Sequence, residues 1–279
     1  MAIRMIAMDL DGTLLNTEWR VTEENQRAIC EAAERGIEVV VVTGRRFDFA
    51  RPVTDRLPEN LTLIVNNGAL IKSKDGTTHL KHLLPREVAR EVLDATPKFR
   101  LGTAVVFDRP RERQVIFERI DWDDPGRKGY FERNRAYLAE ISPLENCLEE
   151  DPIQVMFTGP VEPMRDATAT LRSLSAPNRF AVAVTEYEER NFSIIDVIRR
   201  DCSKGASLSE WAHRRGVARD EVMAIGDNWN DREMLEYAGR AVVMGNAVPE
   251  LKSLGWPVTL SNDESGVAEA IRTYAFGEV

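Results

Sequence analysis

Two aspartates two residues apart, Asp9 and Asp11, are followed at once by Gly12, and two more, Asp227 and Asp231, stand four residues apart far along the chain. Neighbouring carboxylates repel, so packing explains the first pair poorly; a bound dication or divided acid and base labour explains it well. Alternation along an extended segment points both side chains the same way, and Gly12 lets the backbone turn its amides toward an anion. Thr43-Gly44-Arg45 adds a hydroxyl able to hold a phosphoryl oxygen beside a glycine that permits close approach. Lys204, between Ser203 and Gly205, adds a positive charge. In Gly226-Asp227-Asn228-Trp229-Asn230-Asp231 the spacing puts both aspartates on one side of a helical first turn, able to hold a hard cation directly or through water. Alone, each segment has a plainer reading as an acidic turn, a strand-to-helix turn, a surface lysine or a helix cap. Together they supply what phosphoryl transfer needs: a nucleophile, a magnesium ion and fixed groups facing the spread negative charge.

Such residues work only if the chain brings them to one place, and the pattern of elements predicts that it does. Residues 3–8 form an apolar run closing on Asp9, Glu38–Val42 is a β-branched run ending at Thr43, and residues 222–225 are apolar up to Gly226. Between them lie helix signals: Thr22 as an N-cap followed by Glu23 and Glu24, with Gly36 as the stop, then helices expected over 46–57, 204–215, 231–237 and 266–275. Strands apolar throughout and alternating with helices predict a doubly wound, Rossmann-like α/β core with a parallel sheet covered on both faces. Open sheets of this kind bind ligands at the carboxyl ends of their strands, where all four segments fall. Further strands are expected at 61–65 and 241–244, with a hairpin on Asp75-Gly76. Between about 83 and 200 the texture changes: strands near 103–108, 114–119, 153–158, 179–184 and 192–197 mix with helices near 86–95, 130–139 and 163–174, as in an inserted α+β module.

In this order, Asp9-x-Asp11-Gly12-Thr13, Val42-Thr43-Gly44-Arg45, Lys204-Gly205 and Gly226-Asp227-Asn228-x-Asn230-Asp231 resemble the four motifs of the haloacid dehalogenase superfamily. The nearest likeness is to its Cof-type branch with a type IIB cap, and it extends to Asn66-Asn67-Gly68-Ala69 and Met244-Gly245-Asn246-Ala247. The resemblance implies a discontinuous core of residues 1–83 and 201–279, with a cap of 84–200. It implies a magnesium-dependent phosphatase acting on a small phosphorylated metabolite: a sugar phosphate, nucleotide or cofactor phosphate. Asp9 would become an aspartyl-phosphate, and Asp11 would protonate the leaving oxygen and then activate water. Thr43 and Lys204 would bind phosphoryl oxygens, helped by Leu10, Gly12, Gly44, Arg45 and Asn230. Asp9, the backbone carbonyl of Asp11 and Asp227 would hold the metal, with Asn228 and Asp231 orienting from behind. Asn246 would reach the substrate pocket or simply form a turn. Alternatives are a phosphomutase of the same superfamily, which would isomerise a sugar phosphate without releasing phosphate, and a catalytically silent sugar-phosphate-binding regulator.

The bulk numbers narrow the partners. A net charge of −9 on 279 residues repels nucleic acid and anionic membranes, and no apolar run approaches the roughly 20 residues a bilayer requires. A cytoplasmic protein without nucleic-acid or membrane partners is expected, with monomer and homodimer both open. Cys30, Cys147 and Cys202 are odd in number and far apart, which predicts reduced thiols; the three histidines form no metal-site spacing. In the inserted module, the arginines of 109–135 are interrupted by acids and predict a mixed-charge face, and Trp122 and Tyr130 are expected in its core or stacked on substrate.

Overall fold

The run of residues 5–9 carries no polar side chain before Asp9, and Met5, Ile6, Ala7 and Met8 are wholly buried. At about 1.5–3 kcal/mol per large apolar side chain removed from water, this strand is anchored firmly enough to fix where Asp9 emerges. The computed structural model describes residues 2–124, 126–176 and 178–278. In chain order its first elements are β1 (Met5–Asp9), α1 (Glu23–Glu34), β2 (Glu38–Val42), α2 (Phe47–Ala50), β3 (Thr62–Val65), β4 (Leu70–Ser73) and β5 (Thr78–Lys81). Then come α3 (Arg86–Ala95), β6 (Thr103–Val106), β7 (Val115–Phe117), α4 (Lys128–Asn134), β8 (Leu138–Glu140), β9 (Gln154–Gly159), α5 (Val161–Leu174), β10 (Phe180–Tyr187) and β11 (Phe192–Arg199). The last are α6 (Lys204–Arg214), β12 (Val222–Gly226), α7 (Arg232–Tyr237), β13 (Arg240–Val243), α8 (Pro249–Lys252) and α9 (Gly266–Ala270).

The chain divides into two compact units, Met1–Lys81 with Cys202–Val279, and His82–Asp201. The first holds a seven-stranded sheet in the order β13-β12-β1-β2-β3-β4-β5. Its first five strands run parallel, and β4 and β5 add an antiparallel hairpin at one edge. Registers place Met8 beside both Val41 and Ile225, so β1, β2 and β12 end at the same level with Asp9, Thr43 and Asp227 just at or past their carboxyl ends. Thr22 caps α1 by accepting the Asn25 amide, and Gly36 takes a positive φ of 81° just past its end.

The second unit is a six-stranded sheet, β10-β11-β9-β6-β7-β8, antiparallel except between β7 and β8. Leu93, Val105, Phe157, Leu171 and Ile195 form one apolar cluster on the side bearing α3 and α5. Trp122 and Tyr130, both half-buried, pack their rings edge-on against buried Phe131. Arg127 pairs with Asp124 and Arg109 with Glu150, the mixed-charge pattern that the composition of 109–135 predicts.

Three elements differ from the sequence expectation. The helix expected over 46–57 is one α turn, α2, followed by a 3-10 turn over Arg51–Thr54, because Pro52 has no N–H to continue the ladder. The helix expected over 130–139 stops at Asn134, whose side-chain amide bonds back to the Tyr130 carbonyl. The chain then pairs as β8 beside β7, a tertiary pairing that overrides local helix propensity. The final helix becomes a π turn over Ile271–Phe276 after α9.

Candidate active site

Asp9 leaves β1 almost wholly buried, and Lys204, at the start of α6, lies against it. The Lys204 ammonium donates to Asp9 Oδ1 at 2.5 Å and to Asp231 Oδ1 at 2.6 Å. Asp231 is committed on both oxygens, since its Oδ2 accepts the backbone amides of Asp227 and Asn228, each at 3.1 Å. Asp227 Oδ1 accepts the hydroxyl of Thr13 at 2.8 Å, which leaves Oδ2 facing Gly12. A Cβ on Gly12 would lie 2.4 Å from Asp227 Oδ2, and Gly12 also needs its φ of 83°; the glycine is required twice over.

Oxygens of Asp9, Asp227 and Asp231 come within 4.8 Å of one another. Three buried carboxylates face one ammonium, so full ionisation would leave two negative charges in a poorly solvated place. The electrostatics carry that imbalance. Burial, then the Asp231 charge, holds Asp9 well above the usual carboxylate range, with Lys204 opposing them. Burial and Asp231 push Asp227 up to about 7 against the Thr13 hydrogen bond. For Lys204, burial disfavours the charge but Asp231 and Asp9 outweigh it, and the ammonium stays protonated. A divalent cation fits this donor set, since two further positive charges match the two unbalanced negative ones.

Thr43 is buried at the end of β2 with its Oγ1 accepting the Arg45 amide at 3.1 Å. Gly44 leaves room for Asn67, whose side-chain oxygen would sit 3.0 Å from a Cβ there. The turn Asn66-Asn67-Gly68 takes three consecutive positive φ angles, 52°, 54° and 103°. Its Asn66 and Asn67 amides donate to the carbonyls of Arg45 and Thr43, and the Gly68 carbonyl accepts the Ser207 hydroxyl of α6. This turn therefore ties the Thr43 loop to the helix that carries Lys204.

Arg45 has its guanidinium on Asp11, with Nε to Oδ2 at 2.8 Å and Nη2 to Oδ1 at 2.5 Å. Asn228 accepts the Trp229 amide as a cap, and Asn230 lies half-buried in the same 3-10 turn. Asn246 is a brace: its side-chain amide donates to the Gly12 carbonyl at 2.7 Å and its oxygen accepts the Asn262 amide at 2.9 Å. Leu10 is fully buried and can offer an anion only its backbone. Thr13, whose partner lies 214 residues away, gains its role only in the fold.

The chain resembles known proteins over nearly its whole length. The haloacid dehalogenase-like hydrolase family matches residues 6–271. Phosphatase YwpJ of Bacillus subtilis (strain 168) is 29% identical over 97% of this chain and 99% of its own length. An HMP-PP phosphatase of Serratia proteamaculans (strain 568) is 32% identical over 90% of this chain and 87% of its own. A solved haloacid dehalogenase-like hydrolase from B. subtilis superposes with a TM-score of 0.80 at 25% identity, covering 98% of this chain and 100% of the other. The chain belongs to the haloacid dehalogenase-like hydrolases. It is an enzyme of that family, a phosphoric monoester hydrolase. Among the described residues no helix is long and apolar enough to cross a membrane.

Proposed function

We propose that the protein is a cytoplasmic, magnesium-dependent phosphatase that hydrolyses a small phosphorylated metabolite through an aspartyl-phosphate on Asp9. The observation that supports this most is the buried group of Asp9, Asp227 and Asp231 held around one lysine, a charge set short of two positive charges. The side chains of Asp9 and Asp227 and the carbonyl of Asp11 would hold the ion. When bound, magnesium neutralises charge on the nucleophile and on the phosphoryl oxygens.

A carboxylate oxygen of Asp9 attacks phosphorus, and the bond from phosphorus to the ester oxygen breaks. The proton of Asp11 goes to that oxygen, so the alcohol leaves neutral. A water then attacks phosphorus and gives its proton to Asp11, while the bond between Asp9 and phosphorus breaks to release inorganic phosphate. Lys204 and the Thr43 hydroxyl face the phosphoryl oxygens in both steps. Asp231 keeps Lys204 in place from behind. That relatives are called phosphatases supports the reaction type, and their names set candidates for the substrate panel.

A phosphate-release screen over sugar phosphates, nucleotides and cofactor phosphates, run with magnesium, tests the reading. Release is expected with the native protein and falls by at least about a thousandfold in Asp9→Asn, the scale on which loss of a nucleophile registers. Undiminished release by Asp9→Asn removes the covalent route. Isomerised sugar phosphate without release would make the protein a mutase, and binding without turnover a regulator.

A further inference from the structure

The bond between Arg45 and Asp11 continues outward to a residue that no motif assigns. Trp19 lies in the loop between β1 and α1, about half exposed, with the Arg45 guanidinium carbon 5.4 Å from its ring centroid. An exposed tryptophan on a loop is ordinary, but this one holds a φ of 62°, a region that bulky side chains rarely adopt. The surrounding turn enforces it. Leu15 bridges to Val21, the Asn16 amide donates to Arg20, and the Trp19 amide donates to Asn16. Asn16 Oδ1 also accepts the amides of Glu18 and Arg20, and Asp263 Oδ1 accepts both the amide and the hydroxyl of Thr17. Backbone strain that the surroundings over-determine, beside a reacting group, points to function.

We propose that Trp19 and Arg45 form a positioning arm for Asp11: the indole face backs the guanidinium, and its fork fixes the plane of the Asp11 carboxylate. The proposal rests on the phosphatase reading above and deepens it. Arg45 offers two parallel N–H bonds to Asp11, a geometry that lysine, with its single rotatable ammonium, does not reproduce. The fork sets where the Asp11 oxygens lie relative to the leaving oxygen. Both Asp11 oxygens accept from the fork, so one of these bonds must open when Asp11 carries its proton, and the other keeps the carboxyl plane fixed. Loss of the fork should therefore misplace the acid, weaken proton delivery and leave phosphate binding intact. The arm therefore matters most when the leaving group is poor and needs its proton early.

The test compares single-turnover rates on phenyl phosphate, a poorer leaving group, and 4-nitrophenyl phosphate, a better one, for native protein, Arg45→Lys, Trp19→Ala and Trp19→Phe. Arg45→Lys and Trp19→Ala are expected to slow phenyl phosphate by about tenfold and 4-nitrophenyl phosphate by no more than about twofold, with KM held and Trp19→Phe near native. Equal losses on both esters, or a raised KM with kcat unchanged, overturn the arm in favour of plain packing or phosphate binding. Thermal unfolding checks that each variant folds; Trp19 is exposed, so its variants keep the test open if Arg45→Lys does not fold. Asp9→Asn is run alongside. If it is inactive and the ester split is absent, only the arm falls; if it turns over, the phosphatase mechanism falls and the arm with it.

Discussion

At the scale of single residues, the site is organised by which oxygens are already spoken for. Asp231 has none to spare, Asp9 gives one to Lys204, and Asp227 gives one to Thr13. The Thr13 hydroxyl thus selects which Asp227 oxygen is left for a cation. Thr13→Val keeps the shape and removes that bond, and magnesium affinity should drop about tenfold or more, the usual cost of losing a hydrogen bond behind a metal ligand. Magnesium titration of phosphate release measures it; an unchanged half-saturation would show that Thr13 only fills space. Asp9, Thr43 and Asp227 were legible in the sequence because reactive residue types followed apolar runs that read as strands, and Lys204 because it stands between Ser203 and Gly205 at a helix start. Thr13 and Trp19 were not. A hydrogen bond across 214 residues and a positive φ at a tryptophan leave no mark in local spacing.

At the scale of elements, the carboxyl ends of β1, β2 and β12 carry the chemistry, but the turn after β3 aligns it. Asn66-Asn67-Gly68 bonds to the Thr43 loop on one side and to α6 on the other. Gly68 has no room for more: a Cβ would lie 2.4 Å from the Ser203 carbonyl oxygen, one residue before Lys204, and its φ is 103°. Gly68→Ala should therefore cost roughly 2 kcal/mol or more of stability, combining a disallowed backbone with a forced shift of the α6 start. It should also cost turnover in the protein that still folds, since Lys204 moves with that start. Denaturant unfolding and kcat on one sample decide the point; full activity in Gly68→Ala would separate this turn from the site. The parallel core was legible because each strand is apolar from end to end. Helix lengths were not, for two different reasons: the apolar spacing of 46–57 continues past Pro52 while its missing N–H breaks the ladder there, whereas β8 exists only because β7 offers it a partner.

At the scale of the whole molecule, the net charge of −9 matters less than where part of it lies. Asp227, held up to about 7 by burial and the Asp231 charge, ionises near its ordinary value once the chain unfolds. Its folded pKa is raised, so the protonated acid favours the fold. That contribution is complete below the unfolded value of 3.8 and is lost as pH rises through about 7. The metal-free protein should accordingly lose stability relative to Asp227→Asn between about pH 4 and about pH 7. The variant shares the other titrating groups, which makes the difference between the two proteins the quantity to follow. Magnesium acts in the opposite sense, because it binds the ionised carboxylate: at a hundred times its dissociation constant it should return about 2.7 kcal/mol to the native protein, and much less to Asp227→Asn. Unfolding of chelator-treated samples at the two pH values, with and without added magnesium, reads both effects. A native-minus-variant difference that stays flat with pH, or equal stabilisation of both proteins by magnesium, would place the cation somewhere other than the carboxylates that close the sheet's carboxyl edge.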